Sequence, residues 1–308
     1  MAMWVINLEL DQTIRMGKSN IKDILAFGLD PEKTFIFSDV EYIQHMYPNI
    51  LKVQKNVTYN QMRGIFGFSE SDNVGKFAFP PVQAVPSFSN TFPHIFGDMN
   101  LHCLIPAAID QDPYFRMTRD VAQKLGYVKT GTYYSTFIPA LQGKKTKMSS
   151  SSDQSSILLT DTPKEVAKKI NKYALSGGQQ TVEEHRRLGA DLEIDIPFQY
   201  LQFFMEDDDK LEEIREKYGK GEMLSGEVKK VLIDVINEFL AEFQARRAKI
   251  TDADVEHFMS IRKINPYPKA WKEIIEQREK EKAAKEAEEA KKREEAELKK
   301  REQAEKKK

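Results

Sequence analysis

Residues 139–153 read Pro-Ala-Leu-Gln-Gly-Lys-Lys-Thr-Lys-Met-Ser-Ser-Ser-Ser-Asp and gather the groups best suited to phosphate chemistry. Gly143 and the serine run let the backbone bend, while Lys144, Lys145 and Lys147 concentrate positive charge. Exposed N–H and hydroxyl donors beside a lysine are the groups that hold a polyphosphate. A solvated basic loop has the same composition, so spacing alone leaves both readings open. The string Lys147-Met148-Ser149-Ser150-Ser151 is the part with a specific chemistry to test.

A second candidate lies upstream. Residues 103–109, Cys-Leu-Ile-Pro-Ala-Ala-Ile, read as a strand, followed at once by Asp110-Gln-Asp-Pro-Tyr-Phe-Arg-Met-Thr-Arg-Asp120. Asp112 is a suitable N-cap, and Pro113 then occupies the first helical position, where its missing N–H costs nothing. Tyr114, Met117, Val121 and Leu125 recur on one helical face. Strand, polar turn and helix form the unit of a parallel α/β sheet, whose ligands bind outside the carboxyl ends of the strands. Asp110 and Gln111 fall there. His102 and His185 have no carboxylate or serine at a catalytic spacing and read as structural.

The elements around these two stretches divide the chain. Residues 10–27 predict a helix with Ile14, Ile21, Ile24 and Leu25 as its buried stripe, stopped by Gly28. Residues 33–39 predict a short apolar strand, and 50–66 a helical stretch broken at Gly64 and Gly67. After Asp153 the pattern is helical. Thr162-Pro-Lys-Glu165 and Thr181-Val-Glu-Glu184 match capping boxes. Ser225 is placed as the cap of a long helix whose apolar face runs Val228, Val231, Leu232, Val235, Ile236, Phe239, Leu240, Phe243. Thr251 starts another, with Val255, Phe258 and Met259 inward. The expected architecture is an α/β portion at 1–155, an all-helical domain at 156–265, and a charged tail at 266–308.

In the tail, Leu298 is the only large aliphatic residue after Ile275. Pairs such as Glu276/Lys280, Glu281/Lys285 and Glu288/Lys292 each add about 0.2–0.5 kcal/mol to a helix. No heptad seam accompanies them, so a solvated single helix, frayed or disordered at its end, is expected rather than a coiled coil. An appendage that stabilises bound RNA is the sharper alternative.

The 308 residues suffice for two domains with cores. With 31% charged residues and a net charge of -1, the chain has no global attraction to nucleic acid, so any RNA contact must come from local patches. One cysteine, Cys103, excludes an internal disulfide and fits a reducing compartment. No apolar run reaches membrane-spanning length, and the N-terminus is too short and acidic for a leader. The cytosol is the expected location, and neither DNA nor a membrane is an expected partner.

Four segments in order carry a resemblance: Pro86-Ser-Phe-Ser-Asn90, residues 104–120, Lys147–Ser151, and Ser176-Gly-Gly-Gln-Gln-Thr-Val-Glu-Glu-His-Arg186. Together they resemble the tryptophanyl-tRNA synthetases of the eukaryotic and archaeal type, from about residue 10 to about residue 263. Lys147–Ser151 is similar to the Lys-Met-Ser-Lys-Ser signature of class I aminoacyl-tRNA synthetases. The resemblance implies a Rossmann-like catalytic domain, a helical anticodon-binding domain and a homodimer. The implied reaction uses ATP with Mg2+ to convert L-tryptophan to tryptophanyl-adenylate and then charges tRNA(Trp). It also implies roles. Lys147 neutralises charge on the leaving pyrophosphate. Met148, Ser149, Ser150 and Ser151 belong to the ATP loop, whose hydroxyls and N–H groups hold phosphate oxygens. Gln111 and Gln83 hydrogen-bond the ammonium and carboxylate of tryptophan, and Asp110 orients Gln111 or the loop. No protein-held metal is implied.

Two departures qualify the resemblance. Ser150 replaces the second signature lysine, a mild change. The His-x-Gly-His motif of class I synthetases has no counterpart among His45, His94, His102, His185 and His257. The chain is therefore expected to begin downstream of that motif, without the first βαβ half and the groups that read the indole nitrogen. Strands at 33–38 and 103–109 are then expected to lose neighbours. Two readings follow: an enzyme whose record is truncated, or a short non-catalytic form that binds tRNA or protein. On either, residues 1–308 alone are expected to lack pyrophosphate exchange yet bind tRNA in a salt-sensitive way.

Overall fold

The computed structural model describes residues 8–143 and 156–264, with isolated helical positions between 276 and 292. Lys147–Ser151 and the 155/156 boundary lie outside the described residues.

Helix α1 spans Leu10–Leu25. Ile21 and Leu25 are buried, whereas Ile24, expected inside, is 45% exposed. Ile14 is half-buried, and the fully buried edge of the stripe is Ile21/Leu25, because the helix lies on the molecule rather than between layers. Residues 33–39 are not a strand. Residues 34–38 run extended without ladder partners, held instead by isolated bonds such as that from the Ile36 N–H to the Phe258 carbonyl (3.0 Å). Their apolar alternation serves two cores instead: Phe35 and Phe37 pack with α2 residues, and Ile36 packs with Ile21.

Helix α2 (Asp39–Asn56) is capped by Ser38. Helix α3 (Tyr59–Phe66) opens on a full Thr58/Gln61 capping box. Gly64 lies inside α3, and the stop is Gly67, at φ 68°. Helix α4 (Val74–Ala84) was not legible beforehand because Pro80 and Pro81 sit inside it, where proline normally breaks a helix. Asn73 caps it by accepting from the Lys76 N–H (3.1 Å). Short turns and helix α5 (Pro93–Phe96) lead to strand β1 (Leu104–Ala108). Helix α6 (Asp112–Ala122) crosses to strand β2 (Gly131–Ser135), which pairs with β1 in parallel from Leu104↔Gly131 to Ala108↔Ser135.

This two-stranded sheet is the only one among the described residues. Its register puts Leu104, Pro106 and Tyr133 on one face and Ile105, Ala107, Thr132 and Tyr134 on the other. The second face meets α6. On the first, Leu104 is 72% and Tyr133 66% exposed, although parallel sheets are ordinarily covered on both sides.

The helical part contains α7 (Pro163–Tyr173), α8 (Val182–Leu188), α9 (Ile196–Phe204), α10 (Asp208–Gly219), α11 (Ser225–Arg247) and α12 (Asp252–Met259). The Thr162/Glu165 capping box forms as expected. Thr181 caps α8 by accepting from the Glu184 N–H (3.2 Å). Along α11, Val228, Leu232, Ile236, Leu240 and Phe243 are buried, and Val231, Val235 and Phe239 flank them. Ser225 does not cap α11. Leu224 precedes the helix, and the Ser225 hydroxyl joins a buried polar cluster instead. Helix α12 leaves its neighbours in sequence: Val255 and Phe258 pack on Ile21 and Leu25 of α1. Arg262 locks this return by donating to the carbonyls of Pro31 (2.6 Å), Thr34 (2.8 Å) and His257 (2.7 Å).

Candidate functional site

The β1–α6–β2 unit builds the site. Past the end of β1, residues Ile109–Gln111 form one tight helical turn, and Gln111 immediately precedes α6. Gln83 arrives from the last turn of α4, and its Nε2 donates to Gln111 Oε1 at 2.8 Å. Two glutamines separated by 28 positions in sequence thus meet at the carboxyl end of a parallel strand. One turn away from this pair, Phe79 of α4 meets Tyr114 of α6 edge to face (6.0 Å), and Phe66 packs on Tyr114 at 4.7 Å. Burial raises the Tyr114 phenol above its ordinary range, with the charge of Asp110 adding to the rise. Asp110 itself is exposed.

The mutual bond leaves a definite inventory. Gln111 keeps two N–H donors and Gln83 keeps one, while the Gln83 carbonyl remains an acceptor. Three donors and one acceptor converging at a strand end suit a carboxylate beside an ammonium.

Asp112 is not the N-cap expected for it. Gln111 occupies that position in an αR conformation, and Asp112 is the first helical residue. Its carboxylate accepts from the Tyr134 hydroxyl (2.6 Å) and pairs with Arg116 and Arg119. The Tyr134 bond, then Arg116, hold the Asp112 carboxyl below the usual carboxylate range.

The expected loop residues Lys147, Met148, Ser149, Ser150 and Ser151 lie outside the described residues, but both flanks are placed. Ala140 and Leu141 are fully buried, Leu141 in the helical core. The Leu175 N–H donates to the Leu141 carbonyl (2.8 Å), and Tyr200 Oη donates to that of Pro139 (2.8 Å). Gly143 turns at φ 109°, a conformation that favours glycine. On the other side, Ser156 is buried, and a buried Asp161–Lys169 ion pair follows (2.8 Å, side chains 7% and 5% exposed).

Within Ser176–Arg186, Ser176, Gly177 and His185 join a buried polar cluster, whereas residues 179–184 and Arg186 are exposed. Asp195 accepts from the Gly177 N–H (2.8 Å) and from Tyr218 Oη (2.7 Å). The Ser176 hydroxyl donates to that of Ser225 (2.9 Å). Burial pushes the Tyr218 phenol up to about 12. A Cβ at Gly177 would sit 1.9 Å from the Asp191 carbonyl oxygen, which is why the motif needs glycine there. His185 is buried and structural, as expected. Its Nε2 lies 2.9 Å from the Met223 carbonyl, and its Nδ1 accepts from the Gln179 N–H. Sequence reasoning missed β2 and its Tyr134. The Thr-Tyr-Tyr run after Gly131 was the available signal.

Residues 6–241 match the family of tRNA synthetases class I (W and Y), and the chain belongs to that family. Its fold is that of a class I synthetase catalytic domain, with a large helical content. Among individual proteins, it is similar to the cytoplasmic tryptophan–tRNA ligase of Homo sapiens, at 56% identity over 263 residues. That match covers 84% of this chain and 56% of the human protein, so the chain spans little more than half of that relative's length. Among solved structures, a product-bound parasite tRNA synthetase matches with a TM-score of 0.81 at 47% identity, covering 84% of this chain and 69% of that one. The tryptophanyl-tRNA synthetase of Plasmodium falciparum matches with a TM-score of 0.78 at 46% identity, covering 83% and 68%.

Proposed function

We propose that this protein activates L-tryptophan with ATP, forming tryptophanyl-adenylate and pyrophosphate, and transfers the amino acid to tRNA(Trp). The observation that carries the reading is the Gln83–Gln111 pair at the carboxyl end of β1. The three free amide N–H groups take the tryptophan carboxylate and the Gln83 carbonyl takes the ammonium, with the Asp110 charge nearby favouring the cation. Lys147 meets the charge that develops on the departing pyrophosphate, where a preorganised cation acts mainly on the transition state. Ser149, Ser150 and Ser151, with the N–H of Met148, cradle the phosphates. Mg2+ enters this reading on the phosphate oxygens of ATP, the usual mode for an ion that keeps several waters and few protein ligands.

The helical part, 156–265, is assigned to reading the anticodon end of the tRNA. The charged tail at 266–308 is assigned to solvent as a single helix; Lys292 and Glu288, both exposed, pair there at 2.6 Å. A homodimer is supported by an apolar stripe on α2: Val40, Ile43, Tyr47 and Leu51 recur on one face and are 37–53% exposed. Cytoplasmic residence follows the naming of the relatives, and among the described residues no helix is long and apolar enough to cross a membrane.

Calorimetric titration of the chain with L-tryptophan and L-tyrosine tests the assignment, because the family serves both amino acids. Tryptophan is expected to bind more tightly, and Gln111→Ala to weaken it. Preference for tyrosine, or a Gln111→Ala variant that binds tryptophan like the parent, overturns it.

A further inference from the structure

The face of β2 that meets α6 is unusual for a parallel βαβ unit, whose strands ordinarily present apolar side chains to the covering helix. Here Thr132 and Tyr134, two residues apart and on the same face, present hydroxyls. Tyr134 Oη donates to Asp112 Oδ1 at 2.6 Å, and Arg119 Nη1 donates to Thr132 Oγ1 at 3.2 Å. Arg119 Nη2 reaches back to Asp112 Oδ1 at 3.5 Å, which closes the circuit. The Asp112 side chain is only 19% exposed and Arg119 29%, so water competes weakly for these contacts. An acceptor anion in the first turn of α6 also favours the helix dipole.

The position of this circuit gives it a consequence. Asp112 is covalently next to Gln111, and Tyr134 sits one residue from the carboxyl end of β2, paired in register with Ala107 of β1. The turn bearing Gln111 has no side-chain cap of its own at the start of α6. Besides the Gln83 bond to Gln111 itself, its lateral fixation comes from Asp112 being held to the neighbouring strand.

We propose that Tyr134 is a positioning residue: through Asp112 it braces the β1–α6 turn so that Gln111 stays within hydrogen-bonding reach of Gln83 and of the substrate's charged backbone end. This rests on the reading of the glutamine pair as the amino-acid site. Tyr134 touches no substrate and acts only through Asp112. Removing its hydroxyl leaves Asp112 joined to β2 only indirectly, through the long Arg119 contact and the Arg119–Thr132 bond, and so loosens the hold of the strand on the turn.

The test uses the full chain and four variants: Tyr134→Phe, Asp112→Ala, the double variant, and Gln111→Ala. Amide hydrogen exchange of residues 109–112, read without ligand, is expected to quicken in Tyr134→Phe and stay unchanged in Gln111→Ala. Calorimetry is expected to show L-tryptophan binding weakened roughly two- to tenfold in Tyr134→Phe, the effect of one hydrogen bond, with ATP binding unchanged. The double variant should bind tryptophan no worse than Asp112→Ala alone, because both changes break one contact. Unchanged exchange in Tyr134→Phe, additive losses in the double variant, or equal losses for tryptophan and ATP overturn the brace. If the parent binds no tryptophan, or Gln111→Ala binds it normally, the amino-acid reading falls and the role in binding falls with it. The ligand-free exchange still decides whether Tyr134 holds the turn.

Discussion

Lys169→Met isolates the energetics of the segment that follows the signature stretch. Lys169 and Asp161 are 5% and 7% exposed at their side chains, with Nζ at 2.9 and 2.8 Å from the two carboxylate oxygens. Methionine keeps the unbranched stem and removes the charge. Asp161 then keeps the Leu158 N–H on Oδ2 (2.9 Å) as its recorded donor. A charge left buried without its partner costs about 3–5 kcal/mol. Lys220–Glu216 is the internal control, at 3.0 Å but with side chains 63% and 60% exposed; exposed pairs contribute about 0–1 kcal/mol. The assay is urea unfolding followed by far-ultraviolet circular dichroism, where a shifted midpoint at constant slope reports stability alone. Lys169→Met should lose several times more than Lys220→Met. Lys169→Met/Asp161→Leu should recover part of that loss but not all, since the Leu158 N–H then lacks its acceptor. A Lys169→Met loss under about 1 kcal/mol would mean the pair is effectively solvated, and would refute the reasoning.

Other outcomes follow from the same contacts. Gln111→Ala should raise the Michaelis constant for tryptophan with little change for ATP, reflecting a lost partner worth about 1–3 kcal/mol; steady-state kinetics of amino-acid activation reads it. In a form of the protein that carries out activation, Lys147→Ala should slow it by roughly 2.7–4 kcal/mol of barrier while tryptophan affinity holds, checked by single-turnover kinetics against equilibrium binding. At alkaline pH, Tyr218 has its folded pKa raised from 10.0 to about 12, so the folded state holds the proton longer. That contribution is complete below pH 10.0 and is lost as pH rises toward about 12; Tyr218→Phe should flatten the urea midpoint across that window. Gly177→Ala forces a Cβ to 1.9 Å from the Asp191 carbonyl and should destabilise strongly, whereas Gly226, in the first turn of α11 with nothing within 4 Å, should accept alanine with little change; thermal unfolding of the two variants compares them.

The local signals in this sequence were strong where a few neighbouring residues suffice. The Thr162 capping box, the helix starts at Thr181 and Thr251, the apolar face of α11, and strand β1 with its polar turn each depend on contacts within about one helical turn or one strand, so spacing reveals them. Gln111 was legible for the same reason. What tertiary structure decided was the pairing of distant groups. Gln83 sits on a helix that its two prolines argue against, and only the packing of α4 on α6 brings it to Gln111. Residues 34–38 have strand composition but no strand beside them, so their carbonyls and N–H groups go elsewhere and their side chains fill two cores. Asp112 and Ser225 have the right chemistry for caps, yet each found a stronger partner across the fold: Tyr134 in one case, Ser176 and Tyr218 in the other. A side chain chooses the partner that lets it be buried and satisfied at once, and that partner is fixed by three-dimensional proximity, which sequence distance does not encode.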